Sequence, residues 1–96
     1  MTFEEHCTES INLFGKSFEE IHKWLDEFAG SKKYGMKHRF LRHNLKGIQE
    51  IKNKFGIQAA IAAKQHIVSD LKMEGWNELL HRIPIDEKDY LKMGLF

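Results

Sequence analysis

Ninety-six residues with 42% apolar and 30% charged side chains, seven Phe, two Trp and two Tyr describe one globular domain over 1–96 and exclude a disordered or two-domain chain. The formal net charge is +1 at pH 7, and a single cysteine, Cys7, excludes an internal disulfide. No apolar stretch has the length of a leader or a membrane span, so the expectation is a cytoplasmic protein that makes no membrane contact.

The charge is unevenly spread. Residues 1–30 hold seven acids and two bases, 31–54 hold eight bases and one acid, and 55–96 hold five bases and six acids. The basic middle is suited to an acidic partner, yet the chain's own first third is the nearer counterion. Nucleic acid is disfavoured, because the basic block offers few aromatics for stacking and no helix-turn-helix cue.

Apolar residues at three-and-four spacing, with one proline, predict helices throughout. Thr2 with Glu5 and Ser17 with Glu20 fit the capping box, in which a hydroxyl accepts from the third backbone N–H and the acid reaches back. Helices are therefore expected from 3 to Gly15 and from 18 to Gly30. The second should bury Phe18, Ile21, Leu25 and Phe28, with Trp24 about 100° off that stripe.

A third helix is expected over 34–54, stopping at Gly56, with Leu41, Leu45, Ile48, Ile51 and Phe55 on its core side and Asn44 inside the same stripe. A fourth is expected over 57–72, stopping before Gly75 and forming a hairpin with the third. Its sequence, IQAAIAAKQHIVSDL, is apolar or small nearly all round, which predicts burial on two sides. Ile57, Ile61, Val68 and Leu71 line one side, and Ala59, Ala63, His66 and Asp70 the other. GWNELLHRIP predicts a short helical piece ending before Pro84, and Asp86 a cap for a last turn over DEKDYLKM. The fold class expected is all-α, a compact bundle of four main helices plus a short C-terminal one.

Six histidines raise the question of a site. KHRFLRHN (37–44) looks like a chelating run, but His38 and His43 lie about 140° apart on a helix and do not serve one ligand together. His-x-x-x-Asp occurs twice, as HKWLD (22–26) and HIVSD (66–70), and four-residue spacing lets each carboxylate orient its imidazole. Two such pairs with His38 or His43 can supply a mixed His/Asp centre inside a bundle, with His22, His38, His43, His66 and Asp70 as candidate ligands for a divalent metal such as zinc. Strong metal signatures such as HExxH or paired cysteines are missing.

Around the centre, His22, Asp26, Arg39, Arg42, His43, Gln65, His66 and Asp70 form a candidate polar cluster for a metal or a small anion. Arg39 or Arg42 is expected to pair with Asp26 or Asp70. Cys7 and His6 are neighbours in sequence but point apart on a helix, so Cys7 is a packing residue and no nucleophile. His81 is expected at the surface.

IHKWLDEF, KHRFLRHNLKGIQEIKNKFG and QHIVSDL, followed by Trp and Ile-Pro, together resemble an uncharacterised family of small histidine-rich bacterial and phage proteins. The resemblance covers residues 22 to 84 and matches at His22, His38, Arg39, Arg42, His43, Gly47, Phe55, Gly56, Gln65, His66, Asp70 and Leu71. Between Gly56 and Gln65 the family carries a longer polar insertion where this chain has an alanine-rich helix. The resemblance implies a meaningful polar set and no particular reaction.

Two functions follow from these residues. The preferred one is a non-catalytic interaction module, engaging a protein partner through the basic helix 34–54 or self-associating as a homo-oligomer through apolar leftovers such as Trp24, Leu95 and Phe96. The alternative is a buried His/Asp cluster holding a divalent metal or small anion, with hydrolysis as the reaction class it would suit, in a chain whose status as an enzyme the sequence leaves open.

Overall fold

The computed structural model describes residues 2–27, 42–73, 75–77 and 82–93, and among these the regular structure is entirely helical. The elements are α1 (Phe3–Phe14), α2 (Glu19–Leu25), α3 (Leu45–Phe55) and α4 (Ile57–Met73), with a six-residue helical segment, α5 (Glu87–Lys92).

Local chemistry sets most of the boundaries. Thr2 and Glu5 form the expected reciprocal capping box at α1, and Gly15 closes the helix in the left-handed region at φ 80°. The second expected box does not form. Phe18 is the N-cap of α2 in a left-handed conformation (φ 54°) without a side-chain cap, and the helix ends at Leu25, with Asp26 already out of it at φ −103°, ψ 15°.

The expected helix over 34–54 also does not run unbroken. Asn44 is extended (φ −152°, ψ 174°) and its side chain accepts from Gly47 N at 2.7 Å, so a new helix starts at Leu45. A Cβ on Gly47 would stand 2.0 Å from the Arg42 carbonyl oxygen, so only glycine lets the chain pass here. Leu45 N and Lys46 N, orphaned at the helix start, donate to Pro84 O (2.9 Å) and Ile85 O (3.1 Å) of the C-terminal segment.

Helix α4 lies at the centre and touches α1, α2 and α3. Ala59, Ala60, Ala62 and Ala63 are buried, and Ala59 and Ala63 join Ile21, Leu25, Ile51, Ile67, Val68, Leu71 and Trp76 in the core. The alanines win the interior because their small side chains allow close approach of neighbouring helices. Ile57 and Ile61, expected with the core, are 64% and 51% exposed, and Leu45 and Phe55 of α3 are also exposed.

Phe28, Phe40 and Leu41 lie outside the described residues, as do the segment 78–81 with His81 and the residues Leu95 and Phe96.

Candidate metal centre

His6 and Ser10 come from α1, His22 from α2, Asp26 from the turn after it, His43 from the turn before α3, and His66 and Asp70 from α4. His6, Ser10, His22, His43, His66 and Asp70 are buried, and Asp26 is half-buried. Four imidazoles and two carboxylates inside one small core are costly unless they satisfy one another.

Asp70 is the hub. His6 Nε2–H donates to its Oδ1 at 3.1 Å, while its Oδ2 lies 3.2 Å from His66 Nε2 and 3.5 Å from His43 Nδ1. Asp26 Oδ1 lies 3.4 Å from His66 Nε2 and 3.0 Å from His43 Nε2, and that nitrogen also donates to Leu25 O at 3.2 Å. The expected i,i+4 pair His66–Asp70 therefore forms, but His22 and Asp26 do not match it. Because α2 stops at Leu25, Asp26 turns toward His43 and His66, and His22 uses its nitrogens elsewhere.

Those nitrogens build a chain. His22 Nε2 meets Ser10 Oγ at 2.8 Å and His22 Nδ1 meets His66 Nδ1 at 2.7 Å. The ring centroids of His22 and His66 are 5.0 Å apart with planes 22° off parallel. That separation is the N···N contact lengthened by a ring radius at each end, so the rings sit end to end and share a proton along one line. If His66 carries its proton on Nδ1, it donates to His22, and His22 in turn donates from Nε2 to Ser10.

Protonation follows the burial. Desolvation, with the His66 charge next, pushes His22 down to about 4. Desolvation also pushes His43 down to about 4, against the pull of Asp26. For His66 burial works downward, but Asp26 and Asp70 outweigh it and raise the ring. Burial alone would raise Asp70, yet the hydrogen bond from His6 and the neighbouring His66 and His43 rings hold it well below the usual carboxylate range.

Two groups bring ligand atoms within 4.8 Å of one another: His6, His22 and His66, and Asp26, His43, His66 and Asp70. Ring geometry separates them. His6 stacks on His66 at 3.6 Å and 13°, and lone pairs of parallel stacked rings do not aim at one point. Between His22 and His66 the 2.7 Å gap admits a proton and no ion.

The quartet is different. His43 and His66 are perpendicular at 89°, and His66 Nε2 is fully buried with two carboxylate oxygens in ion-pair range, yet it has no hydrogen-bond partner among the described residues. Both oxygens lie off the line of a ring N–H. Ligands about 2.0–2.1 Å from a tetrahedral ion are about 3.3 Å from each other. The separations of 3.2 and 3.4 Å around His66 Nε2 and of 3.5 Å at His43 Nδ1 have that spacing, while Asp26 Oδ1 also accepts from the other nitrogen of His43, Nε2.

Of the candidates taken from the sequence, the structure gathers His22, Asp26, His43, His66 and Asp70, with His22 beside the quartet as a support. His38 and Arg39 lie outside the described residues. Gln65 is not in the cluster: it donates to Ser69 Oγ at 3.2 Å, which donates to Glu9 at 2.7 Å. Arg42, expected at Asp26 or Asp70, reaches Glu27 and donates to Trp24 O at 2.8 Å, with its guanidinium 4.1 Å over the Trp24 ring. Trp24 is thus a half-buried platform for cations, which include Lys54 at 5.7 Å.

His6 and Ser10 were the residues sequence reasoning missed. No local spacing marks them, since their partners Asp70 and His22 stand 64 and 12 residues away. Burial and the Glu19 and Glu4 charges raise the Cys7 thiol, which agrees with a packing role.

The fold and site define an all-helical domain with a buried His/Asp cluster able to hold a metal ion. The chain belongs to the family described as a domain of unknown function, DUF6915, whose model matches residues 1–93. No curated protein and no solved structure matches it. Among the described residues, no helix is long and apolar enough to cross a membrane.

Proposed function

We propose that this protein binds a divalent transition-metal ion, zinc first among them, through Asp26, His43, His66 and Asp70. The observation that carries this reading is His66 Nε2, buried and without a hydrogen bond among the described residues, with two carboxylate oxygens at 3.2 and 3.4 Å set off its N–H axis. Two carboxylates balance a 2+ charge and repel an anion, so the small-anion alternative loses support. Mixed imidazole and carboxylate donors suit zinc, manganese, iron or cobalt, whereas magnesium and calcium take oxygen donors.

Metal analysis after zinc loading and desalting is the test. One ion per chain is expected for the wild type, and none for Asp70→Asn or His66→Ala. A wild type that retains no metal and gives no heat with zinc ends this reading.

A second reading, self-association, has its own support. Ile57 and Ile61 are exposed on α4 beside Lys64, while α1 exposes Glu4 and Ile11 on one face, two turns apart. One chain thus bears both an apolar basic strip and an apolar acidic one, which a second copy can pair. Light scattering reads it: a dimer in the wild type and a monomer in Ile61→Asp support it, and a monomeric wild type removes it.

A further inference from the structure

We infer that His6 is a positioning residue that sets which ion the centre prefers: it holds Asp70 to one coordinating oxygen and so keeps the site four-coordinate. This rests on the metal reading above. His6 is not one of the four ligands; its ring comes from α1, while the two ligands it touches, His66 and Asp70, both stand on α4.

The Asp70 carboxylate lies across the edge of a stack of two rings. His6 and His66 are parallel within 13° with centroids 3.6 Å apart, and Asp70 gives one oxygen to each: Oδ1 to His6 Nε2 at 3.1 Å, Oδ2 to within 3.2 Å of His66 Nε2. The side chains of His6 and Asp70 are 0% and 3% exposed, so water does not compete for their contact. The proton of His6 belongs on Nε2, because a lone pair there would face the carboxylate, and because Nδ1 is buried with no hydrogen-bond partner among the described residues.

The two oxygens therefore have different tasks. Oδ2 is the one within reach of both His66 Nε2 and His43 Nδ1, where the ion sits, and Oδ1 takes the His6 N–H. With Asp70 limited to one oxygen, Asp26, His43 and His66 complete four donors, the number that zinc takes in a tetrahedral site. A carboxylate that chelates through both oxygens adds a fifth donor, and higher coordination rich in oxygen suits manganese. The clamp favours zinc over manganese for that reason.

The test compares two substitutions, read in the visible spectrum of the cobalt-loaded protein and by competition between zinc and manganese. His6→Phe keeps a flat ring on His66 and removes the donor, whereas His6→Gln keeps an N–H donor and removes the ring. Wild-type cobalt should absorb strongly, as four-coordinate cobalt does. His6→Phe should hold cobalt with the weaker absorption of a five- or six-coordinate ion, and its preference for zinc over manganese should narrow by about 10- to 100-fold, the range over which the partners of metal ligands act. His6→Gln should restore the strong absorption.

If wild-type cobalt absorbs weakly, if His6→Phe retains no metal or leaves spectrum and preference unchanged, or if His6→Gln behaves as His6→Phe does, the clamp is wrong while the metal centre stands. If the wild type takes no cobalt, both fail. Circular dichroism checks folding, and His6→Leu repeats the measurements should the phenylalanine variant not fold.

Discussion

His22 and His66 face each other end to end, their Nδ1 atoms 2.7 Å apart, in a core that also buries His6 and His43. The contact fixes which nitrogen of His66 turns toward Asp26 and Asp70. Supports of this kind are worth about 10- to 100-fold in metal affinity. His22→Ala is therefore expected to weaken zinc by that factor, and Ser10→Ala by less, in competition with a chromophoric chelator. Unchanged affinity in His22→Ala would show that the N···N contact orients nothing.

Zinc should also stabilise the fold, since the quartet exists only when α4 meets both turns. At a free concentration about 100-fold above Kd, one bound ion adds about 2.7 kcal/mol, read as a rise in the urea midpoint that a chelator reverses. Asp70→Asn should show no such rise.

The metal-free protein should lose stability as the pH falls through the range set by His22 and His43. Both rings are pushed from 6.5 to about 4 by burial, so between those values the unfolded chain binds about two more protons than the folded one. Stability then rises with pH from 4 to 6.5. His66, raised in the fold, is protonated in both states across that window and adds no slope there. Asp70, held low, extends the loss below pH 4. Urea midpoints at pH 4, 5 and 7 measure the effect, and a flat series between 4 and 6.5 contradicts it.

Gly47 gives a prediction about positioning. A methyl group there meets the Arg42 carbonyl at 2.0 Å, and Arg42 precedes His43 in the chain. Gly47→Ala should cost about 3 kcal/mol and also weaken zinc. Gly15→Ala, at φ 80° with open space around it, should cost roughly 1–2 kcal/mol from backbone strain and leave zinc affinity unchanged. Chemical denaturation and metal competition on the two variants separate the effects.

Features set by neighbours in sequence were legible from the sequence. The Thr2–Glu5 box, the Gly15 and Gly56 stops and the His66–Asp70 pair all depend on residues within one helical turn. The failures came where distant parts decide. With α2 ending at Leu25, Asp26 reaches His43 and His66 across the core, so an i,i+4 rule placed that carboxylate on the wrong histidine. Asn44 looked like a stripe residue because periodicity does not register a side chain that bonds its own backbone. The sequence of α4 predicts burial of both the Ile57–Ile61 side and the alanine side, yet Ile57 and Ile61 are exposed while Ala59 and Ala63 are buried.

The tie from His6 to Asp70 bears on the order of events in the cell. The ligands and their supports are drawn from positions 6 to 70, so a chain emerging from the ribosome has no binding pocket until Asp70 has left the exit tunnel and the first helix has returned to meet it. A metal ion taken by this centre would therefore enter only after α4 has packed against α1.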